Sequence, residues 1–330
     1  MANIVVCGDL EHEIEKTGEL SRLETLGSVE IFNELDPSRE TLVRRLRGAR
    51  AVLEFRGRAA LDGATLSQLP DLEMIASTGP HRIDLEAATK LGIVVASTPA
   101  VSTTAVADHV CALVLALARH IVSADSALRR RSWEPITAFD FEGKTFGILG
   151  LGRIGSAVAK RIAVFGVNLI AWGPTLTAER ASAAHAQFVS EKQLFQNSDI
   201  LSVHLRYSAL SDNFVNASRL ALMKPTALLV DISRAGVVNR QDLADALKAG
   251  RLAGVAMDLC DPLPVSMTDP ILDAPRTVLT PHMGWQTSET FRRAATMSVD
   301  NILKYFRGDP IHLANPDALK VSRPRSQPSR

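Results

Sequence analysis

Short apolar runs recur along the whole chain, separated by polar stretches whose apolar residues fall at helical spacing. Residues 3–7, 29–32, 51–55, 72–77 and 93–96 are the first such runs and predict strands, with helix-like segments between them. Regular alternation of strand and helix predicts a parallel sheet with helices on its faces. Residues 103–120 predict a long helix, with Thr103 or Thr104 as N-cap and Asp108 in its early turns. From Val110 to Ala118 it is apolar on nearly every face, which predicts burial all round, in an ordinary core or against another domain or subunit. A strand at 145–149, a helix at 156–165 and a strand at 167–172 come next. Further strands are predicted at 200–205, 227–232, 254–259 and 277–279, with a helix at 241–249 that stops at Gly250. A final helix at 288–306 is expected to return to the first part of the chain, and 320–330, rich in Pro, Ser and Arg, reads as a disordered tail.

These elements divide into two α/β domains. The outer one is discontinuous, residues 1–100 with 285–330, and the inner one spans 101–284. At 330 residues the chain has the length for two cores. Its net charge of +1 carries no electrostatic footprint for nucleic acid or an anionic membrane surface. Cys7, Cys111 and Cys260 are far apart and form no metal or redox motif, so reduced thiols in a cytoplasmic protein without a metal site are expected. The longest apolar stretch, 110–118, is too short to span a bilayer.

The chemistry centres on residues 143–174, GKTFGILGLGRIGSAVAKRIAVFGVNLIAWGP. Gly150, Gly152 and Gly155 stand in G-x-G-x-x-G spacing between a strand and a helix, followed by a second strand. In that setting the first glycine makes the tight turn, the second admits a pyrophosphate and the third lets helix and strand pack closely. Arg153 and Ile154 open the helix, where free N–H groups favour phosphate charge. The pattern predicts dinucleotide binding. The second strand ends at Gly173, close to where an NAD-binding unit commonly carries an aspartate for the ribose hydroxyls. Without that charge a 2′-phosphate is not repelled, and Thr175, Thr177 and Arg180 follow, so NAD and NADP both stay open.

Several motifs in order now make the chain resemble the D-isomer-specific 2-hydroxyacid dehydrogenase family. Residues 77–84, STGPHRID, resemble the substrate loop, with Ser77 where a glycine is usual and Thr78 and Gly79 at the backbone positions that hold a substrate carboxylate. Residues 97–108, STPAVSTTAVAD, resemble the segment that crosses between domains, with Thr103 near the cofactor. His204 and Leu205 match the strand end beside the adenosine. Residues 231–236, DISRAG, match the catalytic arginine motif, giving Arg234, with Ile232 on the cofactor side. Residues 280–284, TPHMG, give His282 as the catalytic histidine, and Asp258 matches the aspartate beside the nicotinamide. The resemblance implies a flavodoxin-like substrate domain and an NAD(P)-binding Rossmann domain with a cleft between them. It also implies a homodimer acting on a small-molecule 2-oxo or D-2-hydroxy acid, with no nucleic-acid or membrane partner. Residue chemistry agrees. A guanidinium can grip a carboxylate through two bonds, although an Arg after a strand is usually a surface residue. Imidazole titrates near neutrality, although a lone His in a loop is usually structural.

The family usually places a glutamate five residues after the aspartate matched by Asp258. In DLCDPLP, residues 258–264, that position is Leu263 and Pro264 keeps its place. Leucine cannot stabilise imidazolium, and Asp261 is the nearest replacement. This departure keeps a second expectation open: a nicotinamide-binding sensor or corepressor-like scaffold on the same fold. Retention of Arg234 and His282 argues for the enzyme.

Overall fold

The structure, a computed structural model, describes residues 2–34, 38–133, 135–259 and 265–321. The chain divides into two compact units, Met1–Val101 with Thr287–Arg330, and Ser102–Gln286.

In the first unit, strands β1 (Ala2–Cys7), β2 (Gly27–Phe32), β3 (Ala51–Glu54), β4 (Met74–Ser77) and β5 (Val94–Ser97) form one parallel sheet in the order β2-β1-β3-β4-β5. The runs of β1, β3, β4 and β5 are mostly apolar because helices cover both faces, whereas edge strand β2 alternates half-buried and exposed residues. Helices α1 (Arg39–Leu46), α2 (Gly63–Leu66) and α3 (Leu85–Lys90) each start on a side chain that accepts a backbone N–H. Ser38 takes that of Thr41, Asp62 that of Thr65 and Asp84 that of Ala87. Leu42, Val43 and Leu46 of α1 pack with Val5, Val52, Ile75 and Val95 of the sheet. Cys7, Glu54, Ser77 and Ser97 lie in one register row at the C-terminal edge. Loops that leave this edge of an α/β sheet are where such folds bind ligands.

The second unit opens with α4 (Thr103–Ala118) and α5 (Ile121–Arg129). Ser102, not Thr103 or Thr104, occupies the N-cap of α4, and no side chain accepts a cap bond there. Within this one chain α4 buries one side only. Val110, Leu113, Val114 and Leu117 are in the core, while Ala112 is exposed and Leu115 and Ala116 are half-buried. An apolar helix in one chain need only turn one side to its own sheet. No single helix among the described residues is long and apolar enough to cross a membrane.

Strand β6 (Thr145–Leu149), helix α6 (Arg153–Ile162) and strand β7 (Asn168–Trp172) follow. Helix α6 starts three residues before the apolar pattern indicates, taking in Gly155, and a 3-10 turn, Ala163–Phe165, closes it at Gly166. Then come α7 (Ala178–Ala183), the two-residue edge strand β8 (Gln187–Phe188), α8 (Glu191–Asn197) and β9 (Ile200–Val203). Neither α7 nor β8 is long enough to show a period in the sequence. Helix α9 (Ala217–Leu220), β10 (Leu228–Asp231), α10 (Arg240–Lys248), β11 (Gly254–Asp258) and β12 (Thr277–Thr280) complete the unit. All seven strands are parallel, in the order β12-β11-β10-β9-β6-β7-β8. Phe146, Ile148, Val230 and Ala256 pack on α4 and α6. Leu149, Leu201, Leu229 and Val255 pack with Leu194, Leu243 and Leu247 of α8 and α10.

Helix α11 (Ser288–Phe306) belongs to the first unit, where it packs on β3, β4 and β5. A final 3-10 turn, Pro316–Lys320, includes the first residue of the segment read as a tail, and residues 322–330 of that segment lie outside the described residues. Two Rossmann-like parallel α/β layers thus make up the chain.

Candidate active site

Five loops of the second unit leave one edge of its sheet. Register sets Leu149 beside Val203 and Trp172, Val203 beside Asp231, and Asp258 beside Thr280. The glycine turn, Gly173, His204, Ile232 to Arg234 and His282 therefore all follow C-terminal strand ends of the same sheet. The direction of travel across the sheet reverses between β6 and β9, the switch point at which α/β sheets hold ligands.

At that point Gly150 has φ +96°, and a Cβ on it would lie 3.0 Å from the His204 carbonyl carbon. A Cβ on Gly155 would lie 2.5 Å from the Gly150 oxygen, whereas one on Gly152 would meet nothing within 4 Å. Helix α6 begins after Gly152 with no side-chain cap and no acidic residue in its first turn. The N–H groups of Arg153, Ile154 and Gly155 are thus the uncapped start of a helix, suited to an anion. His204 Nε2 is 2.8 Å from Ser202 Oγ, and its Nδ1 is buried with no partner among the described residues. Burial pushes this ring down to about 3, so it is neutral. Leu205 is buried behind it. The open space at Gly152, the bare helix start and the orphaned Nδ1 fit a dinucleotide.

Beyond β7, Gly173 is buried against Gly150. Arg180 donates to the Thr175 carbonyl at 2.8 Å and the Leu151 carbonyl at 3.4 Å, tying the 173–177 loop to the glycine turn. Thr177 caps α7.

Asp231 Oδ1 accepts the N–H and the hydroxyl of Ser233 at 2.8 and 2.6 Å. Burial pushes the Asp231 carboxyl up against those bonds. This sharp turn presents Arg234, which is exposed, with Nη1 3.3 Å from the Ser233 carbonyl.

A second carboxylate shapes the turn that bears His282. Asp258 Oδ1 accepts the Thr280 hydroxyl at 2.7 Å and the Met283 N–H at 2.9 Å, and Oδ2 accepts the Gly284 N–H at 2.9 Å. Burial opposes the charge on Asp258, but bonds from His109, Thr280, Gly284 and Met283 outweigh it and bring the carboxyl to about 2. His109 Nε2 lies 3.0 Å from Thr280 Oγ1 and 3.7 Å from Asp258 Oδ1. Since Thr280 gives its one proton to Asp258, His109 supplies the proton of the 3.0 Å bond. His282 itself sits at φ +51°, half-buried, its carbonyl accepting Gln286 Nε2 at 2.9 Å and its ring 6.4 Å from that of Trp285. Thr103 opens α4, the helix that also bears His109. His109 was not singled out by its motif; its signal was a polar residue opening an otherwise apolar helix. Leu263, Asp261 and Pro264, with Cys260, lie outside the described residues.

In the first unit the Thr78 N–H donates to the Glu54 carbonyl at 3.2 Å and the Gly79 N–H to Ser77 Oγ at 3.0 Å. Thr78 Oγ1 accepts the Arg56 N–H at 2.8 Å. The backbone positions expected to face a substrate carboxylate thus have internal partners.

A Rossmann sheet with this turn and these edge residues defines a nicotinamide-dinucleotide oxidoreductase. Residues 111–284 match the family described as "D-isomer specific 2-hydroxyacid dehydrogenase, NAD binding domain". The glyoxylate reductase of Aeropyrum pernix is 36% identical over 90% of this chain and 92% of its own. The D-3-phosphoglycerate dehydrogenase of Methanocaldococcus jannaschii is 31% identical over 94% of this chain and 58% of its own. A crystal structure of a glyoxylate reductase from Paecilomyes thermophila superposes with a TM-score of 0.81, at 27% identity over 95% of this chain and 98% of that one. The chain belongs to the D-isomer specific 2-hydroxyacid dehydrogenase family. It is an enzyme that couples NAD or NADP to the interconversion of 2-oxo and 2-hydroxy acids.

Proposed function

We propose that the enzyme reduces a small 2-oxo acid such as glyoxylate, with Arg234 binding its carboxylate and His282 supplying the proton; Thr78 and Gly79 of the first unit keep their reading as substrate contacts. The Asp258 clamp on the His282 turn is the observation that carries this reading. Three backbone and hydroxyl donors fix the two residues after His282 and the strand end before it, which orients a side chain for proton transfer. A reduced nicotinamide bound there would supply the hydride for C2. Arg234 balances the carboxylate and polarises the carbonyl beside it. His282 gives its proton to the oxygen as charge develops there, and recovers one from solvent; oxidation runs the reverse. The unit containing 111–284 serves as cofactor domain and the unit with both chain ends as substrate domain. Gly173, with no carboxylate near the ribose position, supports NADPH beside NADH.

Exposed Ile121, Val122 and Leu128 on α5, with Trp133 85% exposed beyond it, support a homodimer through this side of the second unit. Free thiols at Cys7 and Cys111 support a reducing, cytoplasmic setting. The deciding experiment measures NADH and NADPH oxidation with glyoxylate, hydroxypyruvate and pyruvate in the parent and in His282→Gln. The parent is expected to turn over at least one acid, and the variant to bind cofactor normally with turnover lower by about 100-fold or more. Equal rates in the two proteins remove His282 from this role.

A further inference from the structure

Glu54 has no exposed surface, although it closes an otherwise apolar strand directly beneath the 77–79 loop. Its Oε2 accepts the Ser77 hydroxyl at 2.6 Å, and its Oε1 accepts the N–H groups of Arg58 at 2.6 Å and Ala59 at 3.4 Å. One carboxylate therefore ties together the loops after β3 and β4. Ser77 Oγ in turn accepts the Gly79 N–H. An ionised carboxylate can only accept, so it fixes the Ser77 proton inward and leaves the Ser77 lone pairs to Gly79. A substrate carboxylate seeking the same N–H from outside meets a competitor for the bond and a like charge behind it.

We propose that Glu54, acting through Ser77, is a positioning residue that tunes the affinity of the 77–79 loop for an anionic substrate, weakening it when ionised and permitting it when protonated. This rests on the reading of Thr78 and Gly79 as substrate contacts. Burial pushes the Glu54 carboxyl up to about 7, against bonds from Ser77, Ala59, Arg58 and Gly57, so both forms exist near neutral pH. Around it, Cys7 is in register on β1, and Arg56 and Arg58 of its own loop both bind Glu11. His81 lies against Gly57 and Gly79, and Arg82 donates to the Arg58 carbonyl. Helix α11 sets Phe291 against Arg56, and its Arg293 is turned to Val101 and Thr290.

The test compares wild type, Glu54→Gln and Ser77→Gly in glyoxylate reduction from pH 5.5 to 8.5 at saturating NADPH or NADH, with KM and kcat fitted separately. Oxamate binding to the cofactor-loaded protein is measured by calorimetry in two buffers of different ionisation enthalpy. In Glu54→Gln the amide oxygen keeps the Arg58 and Ala59 donors and the NH2 faces Ser77, as in the protonated acid. Wild-type KM is expected to rise about fivefold from pH 6 to pH 8, the effect of one pKa unit of coupling on a group at about 7. His282 titrates in both proteins, so Glu54→Gln is expected to show a smaller KM rise than wild type and to take up fewer protons with oxamate near pH 7. Ser77→Gly, which frees the Gly79 N–H, lowers KM at pH 8 and tests the idea even if Glu54→Gln does not fold. A KM rise in Glu54→Gln as large as that of wild type belongs to other groups, His282 and His81 first, and overturns the proposal, as does a Ser77→Gly KM at or above wild type. Wild type that neither binds oxamate nor turns over glyoxylate instead overturns the reading of the 78–79 loop.

Discussion

Replacing Asp258 with asparagine tests the clamp on the His282 turn. Asp258 is 8% exposed and its carboxyl is lowered from 3.8 to about 2. Because the native state holds this proton more weakly than the unfolded chain, the ionised group contributes stability above pH 4. The displacement corresponds to about 2 kcal/mol at neutral pH, falling to roughly half by pH 3 and lost as pH drops through the native value. Asparagine carries no charge and turns one acceptor into an NH2, which then faces either the Thr280 hydroxyl or a backbone N–H. Asp258→Asn is therefore expected to lose about 2 kcal/mol at pH 7, with a smaller deficit at pH 3. Urea unfolding followed by tryptophan fluorescence measures this in the right unit, since Trp133, Trp172 and Trp285 all lie within Ser102–Gln286. The same variant should lose kcat through the loosened 280–284 turn. A urea midpoint equal to wild type at pH 7, or a deficit that does not shrink at pH 3, refutes the argument that an ionised Asp258 holds the turn.

Arg234→Lys should lower kcat/KM by about 10- to 100-fold while cofactor affinity, read by fluorescence titration, stays within about twofold, because an ammonium cannot form the paired bonds. A collapse of cofactor affinity instead moves Arg234 to the cofactor. Gly173→Asp should weaken NADPH by about tenfold and leave NADH equal or tighter, through phosphate repulsion and ribose bonding. An unchanged ratio of dissociation constants removes Gly173 from cofactor choice. Gly155→Ala sets a methyl 2.5 Å from a backbone oxygen and should cost about 1–3 kcal/mol in urea unfolding. Gly152→Ala, with open space at its Cβ, should fold normally and lose dinucleotide affinity; the reverse outcome would falsify the division of labour between the two glycines.

Strand positions were legible where a parallel sheet buried on both faces writes itself as unbroken apolar runs, and 145–149 stands where the pattern puts it. Helix starts were less legible. Helix α6 begins at Arg153 because the glycine turn leads straight into it, and α4 begins after Ser102 without a side-chain cap. The G-x-G-x-x-G spacing carried its own meaning, since each glycine answers to backbone geometry within one strand–turn–helix unit. Arg234 and His282 were recognisable from short motifs beside strand ends. Their supports were not, because those come from elsewhere in the chain. His109 reaches Thr280 across 171 positions, and Asp258 takes the Gly284 N–H across 26. Glu54 likewise reads in sequence as a strand end, and only the register of β3 against β4 brings its carboxylate to Ser77. Local order follows from the period of apolar residues and the backbone needs of glycine. Which charge is buried, and what holds it, is set by neighbours that only the folded sheet brings within hydrogen-bonding distance.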